Sequence, residues 1–303
     1  MRRLLMRRQF LGHTGGHQKM FDYHQHAVAH GDWSALVHFT PDSVSVMNPW
    51  RMAGVPEART WAPSDAEALL LGGLDWSAMP DVDGPVPVVN LVQHLRHADP
   101  SLPLRAFLRR RAVRICVSDA VADAILATGE VNGPVRVIDA AITDITPGTG
   151  IRSGIVIDAI KQPDLGHSLA GALLERGLHS HLIVDRTARA DYLHQLGQCE
   201  IAVLLPHAVE GFYLPGVEAM ASGAACVVPD CVGNRGYLDP GRNALAPGLD
   251  VASLVNAVVA LQDPVLRDTL RAGAATTVAR YGQPRERRAF HDVLDQLDTL
   301  WTQ

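Results

Sequence analysis

The stretch Glu210-GFYLPGVEAMASGAACVVPDCVGNRGYLDPGRNALA-Pro247 decides how the chain is read. An apolar run just before it, residues 201–205, reads as a strand that ends in the loop 206–212. A helix is expected from Leu214-Pro215, over residues 215–222, because proline pre-sets φ for a first turn and gives up an N–H that has no partner there anyway. The remaining first-turn amides and the helix dipole make that end a seat for an anion such as phosphate. Glu210 hangs in the loop before the helix, and Glu218 lies about one turn into it. Two carboxylates so placed repel a phosphate but accept hydrogen bonds from sugar hydroxyls. Amides for phosphate beside carboxylates for hydroxyls suit a nucleotide sugar.

Around this stretch, short apolar runs alternate with helical stretches, the pattern of a parallel α/β architecture. In the second half the expected strands are 155–160, 181–184, 201–205 and 225–228. Helices are expected at 168–176, 189–198, 215–222, 251–261, 264–281 and 285–301. In the first half strands are expected up to about residue 11 and at 35–39, 68–71, 86–92, 113–117 and 135–138. Helices at 18–30, 102–111 and 119–128 lie between them, the last capped by Ser118-Asp119; residues 42–63 read as loop-rich. Residues 140–154 carry Thr, Pro, Gly and Ser with little apolar period, as a linker does. The organisation expected is therefore an N-terminal Rossmann-like domain at 1–142, a linker at 143–154, a second Rossmann-like domain at 155–282 and a final helix at 283–303. Open parallel sheets bind ligands outside the carboxyl ends of their strands.

Composition narrows the class. The 303 residues are 47% hydrophobic and 19% charged, ordinary for a globular protein with a sizeable core. A net charge of −5 marks no nucleic-acid binder. Basic residues cluster at Arg2, Arg3, Arg7 and Arg8, and again at Arg105, Arg109, Arg110, Arg111 and Arg114. The second cluster reads as a solvated helix face, or alternatively as a surface for anionic lipid or an anionic acceptor. Cys116, Cys199, Cys226 and Cys231 lack close CxxC pairs and sit in or beside apolar runs, so they read as buried, reduced thiols of a cytoplasmic protein. No apolar run approaches a membrane span or a signal peptide, so contact with a membrane would be peripheral, at its inner face. His13, His17, His24, His26 and His30 fit no standard zinc spacing, and the DxD of Asp81-Val82-Asp83 sits in a Pro/Gly-flanked loop; no metal is expected.

The segment Glu210 to Gly223 resembles the motif EGFGLPxLEAMAxG of the family 4 retaining glycosyltransferases (glycosyl transferases group 1), which carry a Glu-x7-Glu pair. The resemblance implies a GT-B fold, two Rossmann-like α/β domains facing each other across a cleft. The final helix then packs back on the first domain. It implies a hexosyltransferase-like, retaining enzyme that moves a sugar from a UDP- or GDP-sugar to an acceptor hydroxyl, with no cofactor. Glu210 would contact the donor sugar and Glu218 the ribose, while Phe212, Tyr213 and Leu214 would present backbone amides to sugar and diphosphate. Lys161 would neutralise the diphosphate. Gly15 and Gly16, after the first strand, would lie near the donor phosphates, where glycine permits close backbone approach. His94 is placed to orient or polarise the acceptor hydroxyl, with Glu210 and Lys161 completing the catalytic group. His17, Arg96 and His97 fall on the acceptor side. The acceptor itself, whether glycan, lipid-linked or small-molecule, is not specified by the resemblance. Gly241-Arg242-Asn243 resembles a structural turn of the family, and Ser118 a helix cap.

Several positions depart from that pattern. Val156 stands where an Arg is usual, and Asp185-Arg186 replaces a Gly-x-Gly, with Arg186 as a candidate for the missing positive charge. Tyr213 replaces a Gly, which would narrow the sugar pocket or offer a ring for stacking; Gly236 falls where Glu is common. Two other readings use the same residues: a GT-B sugar-nucleotide epimerase or hydrolase, and a catalytically inactive nucleotide- or glycan-binding module.

Overall fold

Buried Leu, Val and Ile runs too short for helices form the strands of two parallel sheets, each in its own compact unit. One unit is Met1–Ala140 with Pro284–Gln303, and the other is Ala141–Gln283. The computed structural model describes residues 1–80, 84–143, 145 and 151–302. The DxD at 81–83 and residues 144 and 146–150 of the expected linker lie outside the described residues.

The first unit is built from β1 (Arg2–Arg8), α1 (Gly15–Ala29), β2 (Trp33–Phe39), α2 (Pro49–Met52), β3 (Ala68–Gly72), β4 (Val88–Val92), α3 (Pro103–Ala106), β5 (Val113–Cys116), α4 (Asp119–Leu126) and β6 (Val135–Val137). Its six strands pair in the order β2-β1-β3-β4-β5-β6, all parallel. Every residue of β3 and β4 is buried, as in a sheet covered on both faces, whereas edge strand β2 alternates buried and half-buried positions. The loop-rich stretch after β2 holds the short α2. There Asn48 caps the helix and Trp50, fully buried, packs edge-on against Phe10, Phe21 and Phe39.

The second unit runs β7 (Ile155–Asp158), α5 (Pro163–Leu174), β8 (Ser180–Ile183), α6 (Arg189–Gln198), β9 (Ile201–Leu204), α7 (Leu214–Ala221), β10 (Ala225–Val227), α8 (Val251–Ala260) and α9 (Pro264–Val278). Its four parallel strands take the order β10-β9-β7-β8. Side chains alternate across this sheet. Val156, Ala202, Leu204 and Cys226 enter one apolar core, and Ile155, Ile157, Ile201, Val203 and Val227 enter the other. Gly166 lets α5 lie against β7, since a Cβ there would sit 2.2 Å from that of Ala159.

The chain then returns to the first unit as α10 (Gln283–Asp295) and α11 (Leu297–Trp301), two helices where one was expected. A buried polar cluster joins α10 to α1. Both Glu286 oxygens accept from Lys19 Nζ at 2.9 Å, and His26 Nε2 lies 2.9 Å from Glu286 Oε2. The ring of Tyr23 packs on Phe290 at 4.8 Å. The acidic partner of His26, invisible in the local spacing, is thus Glu286, and that of His30 is Asp295 at 3.0 Å.

One expected helix fails. Residues 102–111 form only α3 and a 3-10 turn at Phe107–Arg109. The reason lies with Arg114, which is fully buried and donates to the carbonyls of Phe107, Leu108, Arg110, Ala112 and Asn132. Carbonyls turned inward to a guanidinium are lost to a helical ladder. The arginine cluster is therefore not the face of one helix. Arg105 and Arg109 pair with Glu130, Arg110 donates to the Pro80 carbonyl, and Arg111 lies over the Trp301 ring. The four cysteines are free and buried, and burial pushes the Cys116 thiol up to about 12 and those of Cys199 and Cys231 up to about 11. Among the described residues, no helix is long and apolar enough to cross a membrane.

Candidate active site

In the second unit β7 and β9 are neighbours whose chain connections leave toward opposite edges of the sheet, which opens a crevice at their carboxyl ends. The end of β7 brings Asp158 to that crevice, the loop after it brings Lys161, and the loop after β9 brings Glu210. Asp158 Oδ1 accepts from the Ile160 N–H at 3.2 Å, a local turn that sets the backbone leading to Lys161. Asp158 Oδ2 accepts from the Tyr192 hydroxyl at 2.8 Å. Burial raises the Asp158 carboxyl above its usual range, opposed by those two hydrogen bonds and by the nearby Lys161.

Lys161 Nζ donates to Glu210 Oε1 at 2.6 Å and lies 4.9 Å from the centre of the Tyr213 ring. The same oxygen accepts from the His207 N–H at 3.3 Å. Three residues of the sequence reading, Lys161, Glu210 and Tyr213, therefore meet. Tyr213 does so from below: it is buried to 1% exposure within the apolar core, so it supports the lysine and offers no ring to a sugar. Burial also holds its hydroxyl well above the usual range.

Glu218, one turn into α7, is 3% exposed and pairs with Arg189 Nη2 at 2.7 Å. The guanidinium that reaches the motif is thus that of Arg189, at the start of α6, while Arg186 lies exposed in the preceding loop. Sequence spacing gave no sign of the Arg189–Glu218 pair, because its members sit on separate helices.

The start of α7 corrects a second expectation. Tyr213 adopts φ −86°, ψ 79°, the inverse γ-turn geometry, and the Leu214 N–H donates to the Phe212 carbonyl at 3.1 Å. The Tyr213 N–H donates to the Gly233 carbonyl at 2.9 Å. Two of the three amides expected to face a ligand are thus engaged within the loop, and what α7 contributes is the positive end of its dipole. Gly233 must be small, because a Cβ there would meet the Glu210 side chain at 2.7 Å and its carbonyl oxygen at 2.9 Å. Asn243 holds the downstream turn, accepting from the Asp239 N–H and donating to the Tyr237 carbonyl and Thr277 Oγ1. Gly236 is exposed, with open space where a side chain would stand.

The first unit has its own crevice between β1 and β3. Thr14 Oγ1 caps α1 by accepting from the His17 N–H at 3.1 Å, with Gly15 and Gly16 as the first helical residues. Arg8, closing β1, contacts His17 Nδ1 at 3.1 Å and pairs with Asp75 at 2.5 Å; the sequence reading named Arg8 only as part of the N-terminal basic cluster, and Asp75 not at all. Gln93 Nε2 donates to the Gly16 carbonyl at 3.2 Å, which ties the loop after β4 to the glycine pair. His94 caps the next turn: its Nδ1 accepts from the Arg96 N–H at 3.1 Å, so a neutral ring carries its proton on Nε2. Arg96 is exposed. His97 is 4% exposed, and burial lowers its ring to about 4. Among the described residues, no group of three or more His, Cys, Asp or Glu is arranged to hold a metal ion.

Residues 164–263 match the model of the family described as glycosyl transferases group 1. No curated protein matches the chain by sequence. A sucrose-phosphate synthase from Thermosynechococcus elongatus is similar in structure, with a TM-score of 0.73 at 12% identity, over 99% of this chain and 100% of that one. HepE of Anabaena, solved with UDP and glucose, gives a TM-score of 0.74 at 14% identity, over 98% of this chain and 100% of that one. A glycosyltransferase from Rickettsia africae gives 0.67 at 8% identity, over 98% of both chains. Identities this low speak for the fold. The chain has the GT-B fold, and its residues 164–263 match the glycosyl transferases group 1 model.

Proposed function

We propose that this chain transfers a sugar from a nucleoside diphosphate sugar to an acceptor hydroxyl, with retention and without a resident metal. The observation that carries the reading is the meeting of Lys161 with Glu210 at the β7/β9 crevice, beside the start of α7. Glu218 accepts from the ribose hydroxyls and Glu210 from the sugar. Departure of the diphosphate concentrates negative charge on its leaving oxygen. Lys161 and the positive end of α7 stabilise that charge. Uridine is the base best supported, since the structures of HepE were solved with UDP and with UDP-glucose. Retention follows from the family resemblance alone. On the acceptor side, a neutral His94 donates from Nε2 to the acceptor oxygen and orients it, which is a different task from removing its proton. The acceptor's class, whether glycan, lipid-linked or small molecule, is left to assay.

Thermal shift against UDP, GDP and their sugars is the direct test. A ligand at about a hundred times its Kd stabilises by about 2.7 kcal/mol. A shift with UDP or UDP-sugars that is largely lost in Lys161→Ala supports the donor site, and turnover with an acceptor supports transfer. No shift with any nucleotide sinks the reading, and conversion of donor at the same rate without acceptor replaces transfer by epimerisation or hydrolysis.

A further inference from the structure

Glu218 is 3% exposed, and a carboxylate so buried needs a counter-charge or strong donors beside it. Among the described residues, the charged and titratable groups that interact with it include Arg189 and Tyr192 from α6, Asp158 from β7, and Tyr237. Arg189 is the cation among these. Its helix is braced on the same wall: Arg189 and Tyr192 are three residues apart, on one face of α6, and Tyr192 is bonded to the end of β7 through Asp158. Arg189 is thereby held in place as well as charged.

The chemistry of a vicinal diol makes this matter. Two neighbouring hydroxyls offer two donors, and an ionised carboxylate accepts both, one on each oxygen. A protonated carboxyl has become a donor on one side and meets the diol with a mismatch. Each carboxylate oxygen has two acceptor positions, so Oε1 keeps one for a hydroxyl beside the guanidinium.

Resting on the donor reading above, we propose that Arg189 is a positioning residue that holds the Glu218 carboxylate aimed, and so sets the preference of the site for a ribose diol over a deoxyribose. The residue touches the carboxylate and acts on the nucleotide through it.

The test is calorimetric titration of the full chain with UDP and GDP, each against its 2′-deoxy form, between about pH 6 and 9. The wild type should favour the ribose form by on the order of 10- to 100-fold, the worth of one hydrogen bond to a charged group, with little change across that range. Arg189→Gln removes the charged partner that aims the buried carboxylate, and the preference should collapse. Arg189→Lys, which restores the charge, should recover most of it. The proposal is overturned if Arg189→Gln keeps the wild-type preference, or weakens both forms equally. Failure of the donor reading looks different: the wild type then binds none of the four ligands, or Glu218→Gln leaves the preference intact.

Discussion

Replacing Glu286 by alanine would expose how much the α1–α10 contact contributes to the first unit. The carboxylate is 2% exposed and receives Lys19 on both oxygens and His26 on one, all at 2.9 Å. Lys19 is itself 2% exposed, so the substitution leaves an ammonium in the interior with Asp22, at 2.8 Å, as its remaining counter-charge. Breaking one partner out of a buried pair costs about 3–5 kcal/mol, and the surviving Asp22 puts this case near 3. For a unit of this size each kcal/mol lowers Tm by about 2–4 °C, so a loss of about 6–12 °C is expected. Burial pulls the Lys19 ammonium down, but Glu286 and Asp22 together outweigh it and leave its pKa above the usual 10.5. A group so raised contributes in full below its unfolded value and loses that contribution as pH climbs through the folded one. The gap between wild type and variant should therefore stay constant from about pH 7 to 10. Calorimetric melts, with hydrogen exchange read at α1 and α10, measure both. A Tm loss under about 2 °C with unchanged exchange at those helices would refute the account of the cluster.

Two further perturbations are specified by the structure. Gly216→Ala puts a Cβ 2.2 Å from the Tyr237 hydroxyl, which donates to the Tyr213 carbonyl at 2.7 Å; overpacking of this kind costs about 1–3 kcal/mol. Urea unfolding should show that loss, with partial recovery on adding Tyr237→Phe; a neutral single variant contradicts the packing around α7. His24 and His97 are both held near 4 by burial, so they stay neutral while the unfolded chain protonates. Stability should thus fall as pH drops from about 6.5 to 4, by up to about 3 kcal/mol for each ring, and level off below. A variant with asparagine at both positions should show a flatter profile by chemical denaturation, and an unchanged slope would disprove the assignment.

What could be read in advance was whatever depends on neighbours in sequence. The helix expected at 189–198 is α6 with the same bounds, and Ser118 caps α4 by accepting from the Val121 N–H. The parallel α/β class and the proline-started α7 follow from local periods and breakers. What could not be read depends on partners brought together by the fold. Arg189 reaches Glu218 from another helix, Lys19 meets Glu286 from the far end of the chain, and Arg114 draws in carbonyls from two separate segments. The missing helix at 102–111 has the same origin: its local propensity was sound, but a buried guanidinium claimed its carbonyls. Tyr213 shows the limit of motif reading in another way, since a residue may occupy a ligand-contacting position in a pattern while its side chain serves the core beneath.

The division of the first unit into Met1–Ala140 and Pro284–Gln303 carries a consequence for how the chain is made. Synthesis runs from the N-terminus, so the whole of the second unit is translated before the last helices of the first. During that interval α1 has neither Glu286 for Lys19 and His26 nor Phe290 for Tyr23. Order of synthesis and order of completion are therefore reversed: the unit begun first closes last, with α10 as its final piece.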